Sequence, residues 1–202
     1  MKHNKQLLID YTAFDVTPQM ITESEQQNNG RVIVQGILQR AGAKNQNGRI
    51  YPKDILMREV RTYKKVQIAE RRALGELDHP ESSVVNLANV SHNITEMNWN
   101  GDDLVGTVEV LGTPSGNILK ELFKSGIKLG ISSRGMGSVE AVHENDSQEV
   151  QDDFELIAFD FVSNPSTHGA FMYPMHESVD HSIARDTKYG RVEAVINDIM
   201  RG

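Results

Sequence analysis

Short apolar and β-branched stretches recur along the chain, and each predicts a β-strand. "RVIVQGIL" (31–38) is rich in β-branched residues and predicts a buried strand. Residues 84–111 predict a strand pair, with Asn100-Gly101 as the hairpin turn. Two further strands are expected at 127–138 and 154–163. Because hairpin signals outnumber crossover units, the sheet should be mainly antiparallel.

Two stretches have the spacing and end signals of helices. Pro52 opens the first, which should end before Gly75, and its apolar positions are Ile55, Leu56, Val60, Val66 and Ile68. Thr113-Pro114 is a cap followed by a first-turn proline, so a short helix should run to Gly126. The predicted fold class is therefore α+β, with a mainly antiparallel, barrel-like core flanked by helices.

A chain of 202 residues can bury one substantial core, so one main domain is expected, at 31–175. Polar and turn-forming residues mark 1–30 as a flexible leader or propeptide. Residues 176–202 form a polar tail in which "YGRVEAVINDIM" predicts a terminal amphipathic helix. The acidic stretch 143–153 is expected to be a loop.

Charge and composition exclude several classes of protein. The net charge is −7 and the basic clusters are short, which argues against a nucleic-acid-binding surface. Without cysteine there can be no disulfide, thiolate nucleophile or thiolate metal site. No apolar run approaches the roughly 20 residues of a membrane span, and the N-terminal apolar stretch is too short for a secretory signal. A soluble, cytoplasmic protein without a membrane or nucleic-acid partner is expected.

"GELDHP" (75–80) places a histidine between an acid and a proline at the end of the first helical pattern. Pro80 restricts His79 to an extended backbone, so the histidine should lie on a connection. Two interpretations remain open at this point. His79 either makes only a local hydrogen bond or acts as a general base.

"GISSRGMGS" (130–138) contains two serines inside a predicted strand. If the strand alternates, Ser132 faces away from the core as the exposed serine, and Ser133 lies on the core side. The glycines would let a bound peptide approach and would free backbone N–H groups near Arg134 and Gly135 for an oxyanion. The alternative is a bent strand whose serines satisfy only local hydrogen bonds.

Asp160 interrupts the apolar strand "FELIAFDFV" and needs a partner, because a half-buried carboxylate without hydrogen bonds is costly. A histidine N–H would complete a serine, histidine and acid triad. The alternative partner is a cation such as Arg134, in a structural salt bridge. Asp78 is a poorer acid, because adjacent residues in an extended segment point to opposite sides.

Four motifs occur along the chain in this order: "NGRIYP", "GELDHP", "GISSRGMGS" and "FDFVSNPS". With these motifs, residues 31–170 resemble the prohead core proteases of T-even-type tailed phages. These are serine peptidases related in fold to the herpesvirus assemblin proteases, so the resemblance implies a herpesvirus-protease-like fold. It implies His79 as general base, Ser132 as nucleophile and Asp160 as acid. Ser133 remains a rival nucleophile, because related viral proteases have a serine two residues before a glycine.

The resemblance implies a maturation protease, with 31–175 as the protease domain. Such an enzyme works in the prohead interior, within the host cytoplasm, and cleaves scaffold or core proteins, the major capsid protein and itself. It needs no cofactor or metal, and the oligomeric state, including a homo-oligomer, stays open. The family prefers to cut after an apolar residue, any residue and glutamate. Ile21-Thr22-Glu23 has this pattern, so self-cleavage after Glu23 is predicted, since leaders are exposed and mobile.

Two other classes of protein compete with this interpretation. One is a catalytically inactive capsid or scaffold component with the same fold. The other is a metal hydrolase, which the seven histidines suggest but their scattered positions and the lack of an HExxH motif disfavour. Four histidines are expected to be structural or solvated: His92, His168, His176 and His181.

Overall fold

The computed structural model describes residues 5–14, 16–78, 80–142, 146–163 and 172–173. His79 and the predicted terminal helix lie outside the described residues. The described part is a mixed α+β structure whose strand pairs are antiparallel with one exception, the pair of Arg49–Ile50 with Ser147–Val150. Its strands form three open sheets, none of which closes into the barrel that was expected.

The largest sheet has five strands and contains the predicted hairpin. Its turn lies at Gly101, which has a φ of +60°, a value that glycine adopts without strain. The hairpin signal and the strand predicted at 31–38 are confirmed. In sheet order, the strands are β11 (Met172–Tyr173), β2 (Val32–Arg40), β6 (Asp103–Val110), β5 (Val90–Asn100) and β4 (Leu74–Glu76).

A second sheet has the order β1 (Gln6–Phe14), β7 (Leu129–Gly137) and β10 (Glu155–Val162). β7, which carries both candidate serines, is the central strand and pairs antiparallel with both neighbours. β1 belongs to the stretch that was expected to be a flexible leader. Helix α1 (Pro18–Gln27) follows it, with Thr17 as N-cap and Ile21 fully buried.

The third sheet has the order β3 (Arg49–Ile50), β9 (Ser147–Val150) and β8 (Val139–Val142). β9 lies inside the acidic stretch that was predicted to be a loop, so that prediction is wrong for these residues. Only Ser147 and Val150 of β9 are buried, whereas the two residues between them are exposed. A strand with one apolar inward residue gives no alternating pattern to detect.

Both predicted helices are present. α2 (Lys53–Tyr63) begins after Pro52 and continues into a π-helical turn, Lys64–Ile68. α3 (Pro114–Lys124) is capped by Thr113, whose hydroxyl accepts a hydrogen bond from the Gly116 N–H at 3.0 Å. Within the described residues, no helix is long and apolar enough to cross a membrane.

The main core lies between the two larger sheets and beneath α2 and α3. Phe161 of β10 packs edge to face against Phe123 of α3 and against His92 of β5, with ring centroids 5.5 and 4.7 Å apart. His92 is fully buried and shares hydrogen bonds of 2.9 Å with Ser91 Oγ and the Phe159 carbonyl. Burial lowers the pKa of His92 to about 3, so this histidine is neutral and structural, as expected.

Candidate active site

Ser132 of β7 and Asp160 of β10 lie directly opposite each other in the second sheet. Paired positions in an antiparallel ladder project their side chains from the same face of the sheet. Two of the three predicted catalytic residues are thus cross-strand neighbours, although 28 positions separate them in the sequence. His79, the third, lies outside the described residues.

Both serines are buried, and the prediction that Ser132 is exposed is wrong. The exposed fractions of Ser132 and Ser133 are 0% and 3%. β1 and β10 pair with the two edges of their strand, and the Arg134 side chain donates hydrogen bonds to the Ser82 and Val84 carbonyls of a nearby loop. Ser133 donates weak hydrogen bonds to Gln39 Oε1 at 3.3 Å and to the Asp10 carbonyl at 3.4 Å, on the interior side that was predicted for it.

Arg134 joins two buried carboxylates on the Ser132 face. Its Nε lies 2.9 Å from Asp160 Oδ2, and its Nη2 donates to Asp160 Oδ1 at 3.1 Å and to Glu76 Oε1 at 3.0 Å. The backbone N–H of Glu76 also donates to Asp160 Oδ1, at 3.0 Å. All three side chains are fully buried. The salt-bridge alternative for Asp160 is therefore present, with Glu76 as a third member that the sequence did not reveal.

The buried cluster has unused hydrogen-bonding capacity. Within the described residues, Asp160 Oδ2, Glu76 Oε2 and the Tyr63 hydroxyl are buried without a hydrogen-bond partner. Asp160 Oδ2 faces the Arg134 guanidinium but accepts no well-aligned hydrogen bond from it. The carboxylate is held in place and can still accept a hydrogen bond from another donor.

Burial shifts the proton equilibrium of Asp160. Desolvation is the largest cause, and together with the nearby Glu76 charge it raises the pKa of this carboxyl to about 6. The positive charge of Arg134 and the hydrogen bond from the Glu76 backbone oppose this rise. The folded chain therefore holds the Asp160 proton to a higher pH than the unfolded chain does. Asp160 thus contributes most to stability below about pH 4, and this contribution is lost as the pH rises to about 6.

Asp160→Asn tests this shift, because asparagine stays neutral at every pH. The unfolding free energy of the variant minus that of the native chain should increase by about 2 kcal/mol between pH 4.5 and 6.5. Urea unfolding of both proteins at several pH values measures the difference, in which contributions from groups that do not interact with Asp160 cancel. A difference that stays constant across this range would contradict the raised pKa.

The chain segments before and after residue 79 form hydrogen bonds with the cluster of Glu76, Arg134 and Asp160 and with the strand that carries Asp160. The N–H of Asp78 donates to the Phe161 carbonyl at 2.7 Å, next to Asp160 on β10. Arg134 Nη1 donates to the Ser82 carbonyl at 2.8 Å, and the Asn86 N–H donates to Glu76 Oε1 at 3.0 Å. The connection that carries the candidate histidine is thereby anchored before and after it.

Arg134 and Gly135 were predicted to contribute an oxyanion site. Both residues lie in the central strand, with β1 on one side and β10 on the other, and the β10 pairing shifts register between Leu156 and Ala158. A Cβ on Gly135 would lie 2.4 Å from the Phe154 ring, so glycine is required there for close packing. The Arg134 side chain binds carboxylates of the chain, and the oxyanion role of the backbone stays a prediction.

A second buried cluster holds β1 in place beside β7, the strand that carries Ser132 and Ser133 and that we call the serine strand. Asp10 of β1 pairs with Ser133 in the ladder, and its carboxylate accepts hydrogen bonds from the Tyr51 hydroxyl, from Asn47 Nδ2 at 2.7 Å and from Arg49 Nη1 at 3.3 Å. Burial raises the pKa of Asp10 and the Arg49 charge opposes the rise. The three donors belong to "NQNGRIYP", for which the sequence suggested no mechanism, and no local signal points to Asp10.

The described residues contain no group of three or more histidine, aspartate or glutamate side chains placed to hold a metal ion. The cluster of Glu76, Arg134 and Asp160 has only two carboxylates, and the guanidinium already neutralises one of them.

Comparison with known proteins places these motifs in a family. Residues 12–180 match the model of a family described as prohead core protein serine protease. A prohead core protein protease of Enterobacteria phage T4 is 32% identical over 171 residues, which cover 83% of this chain and 80% of that protein.

Comparison of the fold with solved structures identifies a related protease. The solved structure of the bacteriophage T4 capsid assembly protease, gp21, is similar with a TM-score of 0.68 and 29% sequence identity. The match covers 80% of this chain and 99% of that one. Because sequence and fold agree over most of the chain, this protein belongs to the prohead core serine proteases of T-even-type phages.

Proposed function

We propose that the chain is the serine endopeptidase that cleaves scaffold or core proteins and the major capsid protein inside the prohead, with Ser132, His79 and Asp160 as its triad. The observation that carries this proposal is the direct cross-strand pairing of Ser132 with Asp160. The hydrogen bond from Asp78 to Phe161 supports it, because it ties the residue before His79 to the residue after Asp160.

In the proposed mechanism, His79 accepts the Ser132 proton as the hydroxyl oxygen attacks the scissile carbonyl. Asp160 accepts a hydrogen bond from the imidazole and stabilises the imidazolium. Backbone N–H groups near Arg134 and Gly135 stabilise the oxyanion, and His79 returns the proton to the leaving amine. A water molecule, deprotonated by His79, then hydrolyses the acyl-enzyme and regenerates the serine hydroxyl.

Reaction with a fluorophosphonate tests the nucleophile directly. In a chain that begins at Ser24, the reagent should label one tryptic peptide, the one containing Ser132, because an activated serine displaces fluoride from phosphorus. The intact chain, in which Ser132 is fully buried, should react much more slowly. Mass spectrometry locates the adduct, and a chain denatured before labelling is the control for non-specific reaction. An adduct on Ser133 would move the nucleophilic role to that residue.

The N-terminal segment pairs with the strand that carries both serines, and we propose that it is a propeptide. β1 pairs with the serine strand from Leu129 to Gly137 and occupies one side of it, where it stands in the way of an extended substrate. We propose that cleavage after Glu23 removes β1 and the first part of α1. The scissile bond lies within α1, and Ser24 is only 2% exposed, with its hydroxyl bonded to the Ile33 backbone. The helix must therefore unwind before the bond can enter an active site.

Mass spectrometry of an incubated, active preparation should show a chain that begins at Ser24. Ser132→Ala should keep its original N-terminus under the same conditions, which separates self-cleavage from a contaminating protease. Glu23→Gln should slow the processing, while Gln26→Ala, an exposed neighbouring change outside the recognised triplet, should not. An intact N-terminus in a preparation that cleaves other substrates would contradict the proposal.

The full burial of Ser132 favours one alternative, a catalytically inactive capsid component with the same fold. Such a protein would keep Asp160 paired with Arg134 and would never expose the serine. Fluorophosphonate labelling of the chain that begins at Ser24 distinguishes the two functions. Labelling that stays absent after removal of β1, in a chain shown to be folded, would favour the inactive component.

A further inference from the structure

The charge of the chain is distributed unevenly around α2. Residues 53–72 contain seven lysines and arginines and three acidic residues, a net charge of +4 within a chain whose total is −7. Four of the seven cations form ion pairs: Lys53, Arg58 and Arg71 contact Asp102, Asp152 and Glu109 outside this segment, and Arg72 pairs with Glu70. The cations that form no ion pair within the described residues are Arg61, Lys64 and Lys65, and these three make the surface of α2 and the π-helical turn after it basic. A basic surface on an acidic protein attracts partners of opposite charge more strongly than the total charge suggests.

An open groove lies beside this basic surface, between α2 with its π-helical turn and the end of β5. We call it the basic groove, and its volume is about 500 Å³. The groove is lined by four apolar residues, three cations and one amide: Met57, Val60, Met97 and Trp99; Arg61, Lys64 and Lys65; and Asn98.

The apolar lining can accept an apolar side chain. Val60 and Met97 belong to the packed core and are only 3% and 1% exposed, so they give the groove a fixed floor. Met57 is 40% exposed, so its side chain can contact a ligand in the groove. Methionine adapts its shape to different apolar partners, which suits a peptide-binding surface.

The cations at the rim are available to a ligand. Within the described residues, the side chains of Arg61 and Lys65 form no ion pair or hydrogen bond, and both are exposed. Lys64 donates to the Met97 carbonyl at 2.8 Å and so extends along the groove toward β5. Met57, Arg61 and Lys65 are spaced four residues apart, which places them in one row along the helix.

The opposite wall offers backbone groups. β4 pairs with β5 no further than Asn93, and no described strand pairs with that side of β5 from Glu96 to Asn100. The Met97 carbonyl faces this side, because Lys64 binds it there. An unpaired strand edge can bind an extended peptide through main-chain hydrogen bonds.

We propose that the basic groove binds an acidic, extended peptide segment of another protein. Apolar side chains of the segment lie against Met57, Val60, Met97 and Trp99, and its carboxylates pair with Arg61 and Lys65. Its backbone follows the edge of β5 that no described strand pairs with, and it bonds to the backbone groups there that Lys64 leaves unbound. Binding at this surface uses none of the proposed catalytic residues, so it stands or falls independently of the proposed protease mechanism.

Fluorescence anisotropy with labelled synthetic peptides tests the proposal on the full chain, carrying Ser132→Ala so that the probe is not cut. The first probe is a ten-residue peptide that alternates glutamate with leucine or phenylalanine. The second has glutamine for each glutamate, and the third has serine for each apolar residue. The first should bind at least about tenfold more tightly than either of the others, and its affinity should fall as salt is added.

Charge reversal locates the surface. Arg61→Glu combined with Lys65→Glu should weaken binding of the first peptide by about tenfold or more, since two attractive pairs become repulsive. Arg72→Glu is the matched control, because Arg72 is equally exposed on the same basic segment but pairs with Glu70 outside the groove. This control should leave the affinity within about twofold. Thermal unfolding shows whether each variant is folded.

Three outcomes would overturn the proposal. The first is a lack of specificity, which would appear as equal binding of the acidic and glutamine peptides. It would also appear as an equal loss of affinity in Arg72→Glu and in the variant that combines Arg61→Glu with Lys65→Glu. The second is tighter binding of a single-stranded oligonucleotide than of the acidic peptide, abolished by the same charge reversal. The third is self-association in sedimentation experiments that the double variant removes, which would assign the groove to a second copy of this chain.

Discussion

Ser132→Ala is expected to abolish peptide cleavage while leaving the fold intact. Loss of the nucleophile from a coupled triad lowers turnover by roughly four to six orders of magnitude. Within the part of the chain that the structure describes, the Ser132 hydroxyl makes one long hydrogen bond, 3.5 Å to the Ser133 carbonyl, so its removal should cost little stability. Turnover of a peptide ending in an apolar residue, any residue and glutamate measures the loss, and urea unfolding measures the stability.

Ser133→Ala is the matched control. Its hydroxyl contacts Asp10 and Gln39 on the interior side, so this change should reduce stability modestly and leave turnover within about tenfold. The reverse pattern, with cleavage lost in Ser133→Ala and kept in Ser132→Ala, would contradict the assignment of Ser132.

Arg134→Met should destabilise the protein by about 3–5 kcal/mol at pH 7.5, among the largest effects of any single change. Methionine fills much of the same volume but leaves the carboxylates of Glu76 and Asp160 buried without their shared cation. It also frees the loop carbonyls of Ser82 and Val84. Equilibrium unfolding in urea gives the loss directly.

A triple variant keeps this prediction testable if Arg134→Met does not fold. Adding Glu76→Gln and Asp160→Asn removes the two charges, and most of the lost stability should return, because a buried ion cluster replaced as a whole costs far less than one broken open. Arg72→Met, on the surface, should change stability by less than about 1 kcal/mol. A triple variant no more stable than Arg134→Met would show that the guanidinium acts through packing alone.

The parts of the fold predicted from sequence are those whose signals are local. The β5 and β6 hairpin follows from Asn100-Gly101, and α3 follows from Thr113-Pro114, because turn and cap geometry depend on a few adjacent residues. β1 was missed because its nine residues form only a brief apolar patch, and what makes them a strand is pairing with β7, more than 100 positions later.

The candidate site also contains residues that the local sequence indicated and residues that only tertiary contacts reveal. Asp160 stood out because a carboxylate inside an apolar strand signals a buried charge. Strand alternation put Ser132 on an exposed face, which is wrong, and the pairing of Ser132 with Asp160 was not predicted. Glu76 and Asp10 gave no comparable signal, because their cations, Arg134 and Arg49, are brought to them only by tertiary contacts. The burial of Ser132 has the same origin, since its strand lies between β1 and β10, and the long-range pairing with β1 is not signalled by the sequence around Ser132.

The central position of β7 also has a consequence for how the molecule is made. Its two partner strands come from opposite ends of the described chain, so β1 leaves the ribosome long before β7 and β10 exist. Such distant pairings form slowly and late. A nascent chain therefore cannot assemble the serine strand until residue 162 has emerged, and a product truncated before β10 would lack Asp160 together with the strand that holds it.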